Sequence, residues 1–100
     1  MTDVQFDELI HAPNRLKICA LLASVKAAEF RILREELGVS DSVLSKQIKL
    51  LDEAGYLSVQ KKTVSTGKVT WVSLTKVGQR AFAAHAKELQ KIVANAAHLF

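Results

Sequence analysis

Apolar residues recur at helical spacing along the first half of the chain. Phe6, Leu9 and Ile10 lie at positions i, i+3 and i+4, which predicts a short helix over residues 4–11. Pro13 suits the first turn of a second helix, over residues 13–24, because its missing N–H group is not needed there. This second helix is apolar on most sides, so we expect it to lie at the centre of the fold. Its apolar positions are Leu16, Ile18, Cys19, Ala20, Leu21, Leu22, Ala23 and Val25.

Two further amphipathic helices follow, separated by a tight turn. The first ends at Gly38, a residue type that often terminates helices in a left-handed conformation. Ser40 is a good N-cap for the next helix, which is predicted over residues 41–54 and stops at Gly55. Two short helices joined in this way over residues 30–54 predict a helix-turn-helix. The apolar positions expected to pack between them are Phe30, Leu33, Leu37, Leu44, Ile48 and Leu51.

The pattern then changes from helical spacing to alternation. Residues 57–60 alternate between apolar and polar side chains, which predicts a half-buried strand, and residues 69–74 predict a second strand. Gly67 lies between them and can adopt a positive φ in a turn. The sequence therefore predicts a hairpin over 57–74 with a polar, basic tip. Residues 26–29 form an extended link or a very short strand.

A long helix, capped by Thr75 and predicted over residues 76–99, closes the chain. Its apolar residues recur at alternating intervals of three and four, which favours pairing with the same helix of a second copy. Packing on its own domain is the alternative. We expect Phe6, Leu9 and Ile10 to help cover the paired helices. The predicted dimer seam comprises Phe82, His85, Leu89, Ile92, Ala96 and Leu99.

Length and composition fit one globular domain over residues 1–100. The fold class expected is mainly α with a small β-hairpin. Apolar residues make up 49% of the 100 residues, which argues against disorder. No apolar run reaches the roughly 18 residues of a membrane span, and the first residues do not resemble a secretion signal. The single cysteine, Cys19, is expected to be a small buried hydrophobic residue. These features predict a cytoplasmic protein.

The basic residues are unevenly distributed along the chain. Residues 1–54 carry 7 basic and 9 acidic side chains, whereas residues 55–80 carry Lys61, Lys62, Lys68, Lys76 and Arg80 and no acid. The net charge of +4 therefore originates in the hairpin and the start of the last helix. A local basic segment on a near-neutral body is what a surface that binds a polyanion requires, although a solvated face is the alternative.

The helix over 41–54 carries a polar face opposite its apolar one. In helix-turn-helix proteins the second helix presents such a face to base edges in the major groove. Serine bonds to several base edges, and lysine bonds to guanine or to phosphate. Asp41 either stabilises the helix N-terminus electrostatically or accepts a hydrogen bond from cytosine. The candidate DNA-reading residues are Ser42, Ser45, Lys46 and Lys49.

The hairpin and the preceding helix supply candidate contacts with the DNA backbone. Lys61, Lys62 and Lys68 flank the hairpin tip, where a basic loop can follow the phosphates or enter the minor groove. Arg31 and Arg34 point away from the apolar face of their helix and are further candidates for phosphate contacts.

Three segments resemble winged-helix transcriptional regulators related to the MarR and ArsR groups. Residues 33–57, with Leu37-Gly38-Val39-Ser40 at the turn, are similar to their helix-turn-helix core. Residues 70–80 contain Leu74-Thr75-Lys76-Val77-Gly78, which is similar to their entry to the last helix. Residues 11–18 are similar to their opening. The match is best to a subgroup of short regulators of about 100 residues, and it covers nearly the whole chain in the right order.

The resemblance implies a homodimer that binds a pseudo-palindromic operator in double-stranded DNA, with one recognition helix for each half-site. ArsR relatives often sense metals through a cysteine pair near the recognition helix. Residues 36–40 contain no cysteine, so we expect no metal site there, and we expect no cofactor. The sequence identifies no small-molecule effector.

Other functions fit the sequence less well. No nucleophile elbow, phosphate-binding loop or cluster of metal ligands appears, so we do not expect an enzyme. The main alternative is a winged helix that binds a protein partner, because the fold does not fix the function. Val43 is the one apolar candidate for such a contact, and it equally suits a thymine methyl group. Trp71 on the second strand is expected to pack on a helix or across the dimer, and stacking on a base or a ligand is the alternative.

Overall fold

A computed structural model describes residues 6–97 of the chain. Within that range, five helices and three strands confirm the predicted mainly α fold. The helices are α1 (Glu8–His11), α2 (Pro13–Ala23), α3 (Phe30–Leu37), α4 (Asp41–Glu53) and α5 (Lys76–Ala97), and the strands are β1 (Ala28–Glu29), β2 (Leu57–Val64) and β3 (Gly67–Leu74).

Local hydrogen bonds fix the ends of several helices. The first helix begins at Glu8, where Asp7 caps it through the backbone N–H of Ile10, and not at residue 4 as predicted. The Ser40 hydroxyl accepts a hydrogen bond from the backbone N–H of Val43 (3.2 Å), which caps α4. Thr75 caps α5 in the same way, through the backbone N–H of Gly78 (3.0 Å). Gly38 ends α3 with a φ of 66°, the left-handed conformation that glycine adopts without strain.

The three strands form one antiparallel sheet in the order β1-β3-β2. The pairs Leu57↔Leu74 and Val64↔Gly67 mark the two ends of the hairpin. Both strands extend further toward the tip than the alternation predicts, because the ladder continues through residues 61–64, which are exposed on both faces. The short extended link is a true strand that pairs Ala28 with Val72.

The core lies where α2 meets α3, α4 and the sheet. Buried side chains from α3 and α4 pack together as predicted, with Leu33, Leu44 and Leu51 at most 1% exposed. Val25, predicted on the buried stripe of the second helix, is instead 49% exposed, because α2 ends at Ala23. Ile10 from α1 is also part of this core and is fully buried. It packs within its own chain and does not cover a partner helix.

Cys19 lies on α2 and is fully buried, as predicted. Burial, with a smaller contribution from the nearby Asp7 carboxylate, raises the pKa of its thiol to about 11. The thiol therefore stays protonated at neutral pH and behaves as a small apolar group.

Candidate nucleic-acid interface

The outward face of α4 carries all four predicted DNA-reading residues. Leu44, Ile48 and Leu51 turn into the core, so the opposite face of the helix is left to solvent. The elements that pack on α4 include α2 and β2, and the side chains of this face remain exposed. The exposed side chains are Ser42, Ser45, Lys46 and Lys49.

The N-terminal end of this face is fixed by an ion pair that the sequence analysis did not predict. Arg34 on α3 donates to the Asp41 carboxylate at 2.6 Å. This hydrogen bond, together with the charge of Asp41, raises the pKa of the Arg34 guanidinium above its usual value. Asp41 also lies in the first turn of α4, where a negative charge is favourable. The structure therefore gives Asp41 a role in holding the start of α4.

Both arginines of α3 are engaged with carboxylates. Arg31 contacts Glu35 at 3.0 Å and Glu29 at 3.5 Å, and Arg34 contacts Asp41. These pairs are at the surface, where ion pairs are weak. A guanidinium has five N–H donors, so a DNA phosphate at either arginine would share the side chain with a carboxylate of like charge.

The three lysines of the hairpin lie on two different faces. Lys61 pairs with Thr70 and Thr63 pairs with Lys68 across the ladder, and paired residues project from the same side of a sheet. Lys61 and Lys68 therefore share one face of the hairpin. Lys62, one position along β2, projects from the opposite face. The alternation of side chains along β2 places Lys61 and Lys62 on opposite faces. The face that Lys68 shares with Lys61 follows only from the register of the two strands.

An apolar cleft of about 340 Å³ separates α4 from the hairpin. Its apolar lining comes from three elements: Phe30 on α3, Ile48 on α4 and Val59 on β2. Lysines from both sides of the cleft, Lys49 and Lys61, line it as well. The reading face of α4 and one basic face of the hairpin therefore border the same opening. The remaining lining residues are Ser45, Asp52 and Thr70.

Residues 14–93 match the model of a protein family described as the winged helix DNA-binding domain. The chain belongs to this family. The hairpin β2–β3 is thus the wing of a winged helix, and the resemblance to winged-helix regulators is confirmed. A relative from Methanocaldococcus jannaschii, protein MJ0432, is 31% identical over 88 residues, which cover 88% of this chain and 96% of the relative.

Two solved structures with the same fold carry descriptions as a transcriptional regulator or its homologue. A transcriptional regulator homologue from Pyrococcus horikoshii superposes with a TM-score of 0.83 at 20% identity, over 89% of this chain and 88% of the other. The putative transcriptional regulator TA0346 from Thermoplasma acidophilum superposes with a TM-score of 0.70 at 17% identity, over 92% of this chain and 97% of the other. At this level of identity the likeness establishes the winged-helix fold.

The back face of the wing carries the tryptophan whose role the sequence left open. Trp71 is half-buried and borders a shallow groove with Lys62, Gln60 and Ser73. It pairs across the sheet with Gln60 and Glu29, so its ring lies among polar neighbours. Within the described residues, Trp71 is therefore part of the wing surface, on the side away from α4.

The predicted dimer seam divides into an inner and an outer part. Phe82 packs against the core of its own chain, and His85 is fully buried there, so His85 does not face a partner helix as predicted. His85 is buried because α5 packs on α1 and α2. The helical spacing of apolar residues does not show this contact. Further along α5, Ile92 is 53% exposed and Val93 is 67% exposed. The other seam residues are Leu89 and Ala96, which are half-buried, and Leu99, which lies outside the described residues.

The outer part of α5 also bears a shallow apolar groove formed by Leu89, Gln90, Val93 and Ala94. Val93 and Ala94 are absent from the predicted seam because they fall between its heptad positions.

No helix within residues 6–97 has the length and apolar character needed to cross a membrane.

Proposed function

We propose that this winged-helix protein is a sequence-specific transcriptional regulator that binds a pseudo-palindromic operator as a homodimer and acts as a repressor by occupying it. The observation that carries the proposal is the shared opening between α4 and the wing, bordered by Lys49 on one side and Lys61 on the other. A recognition helix in the major groove and a wing in the adjacent minor groove have one DNA strand between them. The two lysines border the path of that strand.

The two faces of the wing suit the two walls of a minor groove. A hairpin that enters the groove presents one face to each DNA strand. Lys61 and Lys68 would then neutralise phosphates of one strand, and Lys62 would neutralise those of the other. The charge distribution supports this placement, since residues 55–80 contain no acid that would repel the backbone.

The exposed apolar surface of α5 supports the homodimer. Ile92 and Val93 are large apolar side chains left in solvent on a helix that extends beyond the core. A second copy of the same helix would cover them. The dimer would place two recognition helices on one face of the assembly, as two half-sites about one helical turn apart require.

The direct test is fluorescence-anisotropy titration with a pool of random duplex DNA at several salt concentrations. We expect binding that weakens steeply with salt, followed by enrichment of a palindromic sequence when bound DNA is selected and amplified. An absence of binding even at low salt would contradict the proposal. That result would favour a winged helix that binds a protein partner.

Substitution of a single recognition-helix lysine tests base reading. We expect Lys46→Ala to weaken binding to the selected operator by about 1–3 kcal/mol, because a lysine that bonds to a guanine edge is lost. Binding to random duplex DNA should change much less. Lys87→Ala, which removes an exposed lysine on α5, is the matched control and should leave both affinities unchanged. Equal losses on operator and random DNA would show that Lys46 contacts only phosphate.

Wing lysines are tested by the salt dependence of binding. Lys61→Ala and Lys62→Ala should each reduce the slope of log affinity against log salt by about one, for operator and random DNA alike. The double variant should lose about two, since the side chains lie on opposite faces and contact different strands. An unchanged slope in Lys62→Ala would place only the α4-facing side of the wing on DNA.

A further inference from the structure

A cluster of polar side chains lies where α1 meets α5, apart from the proposed DNA surface. His85 on α5 is fully buried, and its Nδ1 atom accepts a hydrogen bond from the backbone N–H of Asp7 at 2.9 Å. Its other ring nitrogen, Nε2, lies 3.2 Å from Nδ1 of His11 at the end of α1. The ring of Phe6 packs against both imidazoles, with centroid distances of 4.6 and 4.7 Å.

The hydrogen bonds of this cluster fix the protonation of both imidazoles. A backbone N–H can only donate, so Nδ1 of His85 must carry no proton. In the neutral ring the proton is then on Nε2, which donates to Nδ1 of His11. That atom must likewise be unprotonated. The observed geometry therefore requires two neutral histidines, and a proton added to either ring sets two N–H groups against each other.

Three further titratable side chains face the two histidines of the cluster. Asp7 brings a carboxylate from the segment before α1, Cys19 faces the cluster from α2, and Tyr56 faces it from the loop after α4. The pKa of Tyr56 is raised to about 12, mainly by its hydrogen bond to Asp7, and that of Cys19 is raised to about 11. Both groups stay neutral and do not contribute to a response near pH 6.

The folded state resists protonation of His85. Burial and then the positive charge of a protonated His11 lower the pKa of His85 below its ordinary value of 6.5, while the Asp7 carboxylate acts in the opposite direction. A histidine with a lowered pKa stabilises the folded arrangement above pH 6.5, and this contribution is lost as the pH falls from 6.5 through the folded-state value.

Two connections run from the α1 region to the recognition helix. The Tyr56 hydroxyl donates to the Asp7 carboxylate at 2.5 Å, and the Tyr56 backbone N–H bonds to the carbonyl of Leu51 in the last turn of α4 (2.9 Å). On the other side, Arg15 of α2 donates both to the backbone carbonyl of Leu9 in α1 and to the Gln47 side chain in α4, the latter at 2.7 Å. Two points along α4 are therefore linked to α1 and to Asp7, the residue before it.

We propose that the His11–His85 pair is a proton-sensitive latch that holds α1 against α5 near neutral pH, and that its opening on acidification loosens α4 and weakens DNA binding. The latch itself stands on the hydrogen-bond geometry, whereas its effect on DNA rests on the proposed regulator function. The candidate DNA contacts on α4 and the wing are lysines and serines, and none of them is a histidine.

The sign of the effect separates the latch from simple electrostatics. Protonation of histidines adds positive charge to the protein, which by itself strengthens attraction to DNA phosphates. The latch predicts the opposite, a loss of affinity of roughly fivefold to tenfold between about pH 7.5 and 5.5 at constant ionic strength. A fall in affinity on acidification therefore requires a structural change in the protein.

The first experiment measures the latch without DNA. Amide hydrogen exchange and histidine ring signals are followed by NMR on the full chain from about pH 7.5 to 5.5. We expect the protection factors of Asp7 and His11 amides to fall about tenfold, with the midpoint at which the His85 ring titrates. Protection factors that stay constant while His85 becomes protonated would overturn the proposal. This measurement needs no variant, so it tests the opening of the latch even if substitution of His85 prevents folding.

The second experiment measures operator affinity over the same pH range in three proteins. The wild type and His98→Gln, which removes a histidine outside the pair, should both lose affinity, whereas His85→Gln should show no such loss. A pH-dependent loss in His85→Gln equal to that of the wild type would overturn the latch. Opening of the latch without any loss of affinity would overturn its coupling to α4. An absence of DNA binding at neutral pH would count against the regulator function alone, because the exchange experiment tests the latch separately.

Discussion

Gly78→Ala is expected to destabilise the protein by about 3 kcal/mol, although alanine is the better helix former. Gly78 lies in the first turn of α5, and a Cβ atom added to it would lie 2.1 Å from the carbonyl oxygen of Tyr56. It would also lie 2.9 Å from the carbonyl carbon of the same residue. These are backbone atoms, and the Tyr56 carbonyl accepts a hydrogen bond from the backbone N–H of Thr75. Relief of the clash would therefore require a movement of the backbone.

Helix propensity predicts the opposite sign for this substitution. In an exposed helix, replacing glycine by alanine stabilises by about 1 kcal/mol. The measurement is urea denaturation at one fixed protein concentration, since association would change the apparent stability. Val77→Ala, at an exposed neighbouring position in the same turn, is the matched control and should change stability by about 0.5 kcal/mol or less. A Gly78→Ala protein as stable as the wild type would show that α5 does not approach the Tyr56 carbonyl as closely as described.

The close approach of α5 gives a physical reason for the glycine in the segment Leu74-Thr75-Lys76-Val77-Gly78. Thr75 accepts the hydrogen bond that starts the helix, and it also donates to the carbonyl of Gly55 at 2.6 Å. The same five-residue segment therefore caps α5 and fastens it to the loop that follows α4. The sequence shows the residues of this junction, but only the fold shows which backbone they meet.

Local signals in the sequence predict the elements of the fold well. Helix ends at Gly38, Ser40 and Thr75 depend on hydrogen bonds and dihedral angles within a few residues, so they are visible in the chain itself. The packing of α3 on α4 follows from helical spacing of apolar residues. The extension of the wing strands to Val64 and Gly67 is not visible, because residues near the tip are exposed on both sides and have no alternation.

Local sequence patterns do not predict features that depend on contacts between residues distant in the chain. His85 was placed on the seam by its spacing with Leu89 and Phe82, whereas its partners Asp7 and His11 are 78 and 74 positions away. The face that Lys68 shares with Lys61 follows only from the register of two strands. The exposed face of α4 was easier to predict, because the buried residues of the same helix determine where it points.

The second large effect concerns the surface of α5 that is left exposed. We expect Leu89→Asp and Ile92→Asp to dissociate the proposed dimer, each raising its dissociation constant by roughly a hundredfold or more. In a two-fold symmetric interface each substitution occurs twice, so two carboxylates would be buried in an apolar contact. Sedimentation velocity over a range of protein concentrations measures the change. Ala83→Asp, which adds the same side chain at an exposed site on α5 nine residues before Ile92, is the control and should remain dimeric.

A folded monomer is the expected product, because the core does not depend on the outer part of α5. Within residues 6–96, no fully buried side chain comes after His85. The far-UV circular dichroism of the protein should therefore stay mainly helical, and its wing and recognition helix should remain intact. Such a monomer would bind a single half-site, so its affinity for the full operator should fall. The slope of log affinity against log salt should drop to about half, because half of the phosphate contacts are lost. Variants that remain dimeric would exclude this surface as the subunit contact. Monomeric variants with undiminished operator affinity would show that one recognition helix is sufficient for operator binding.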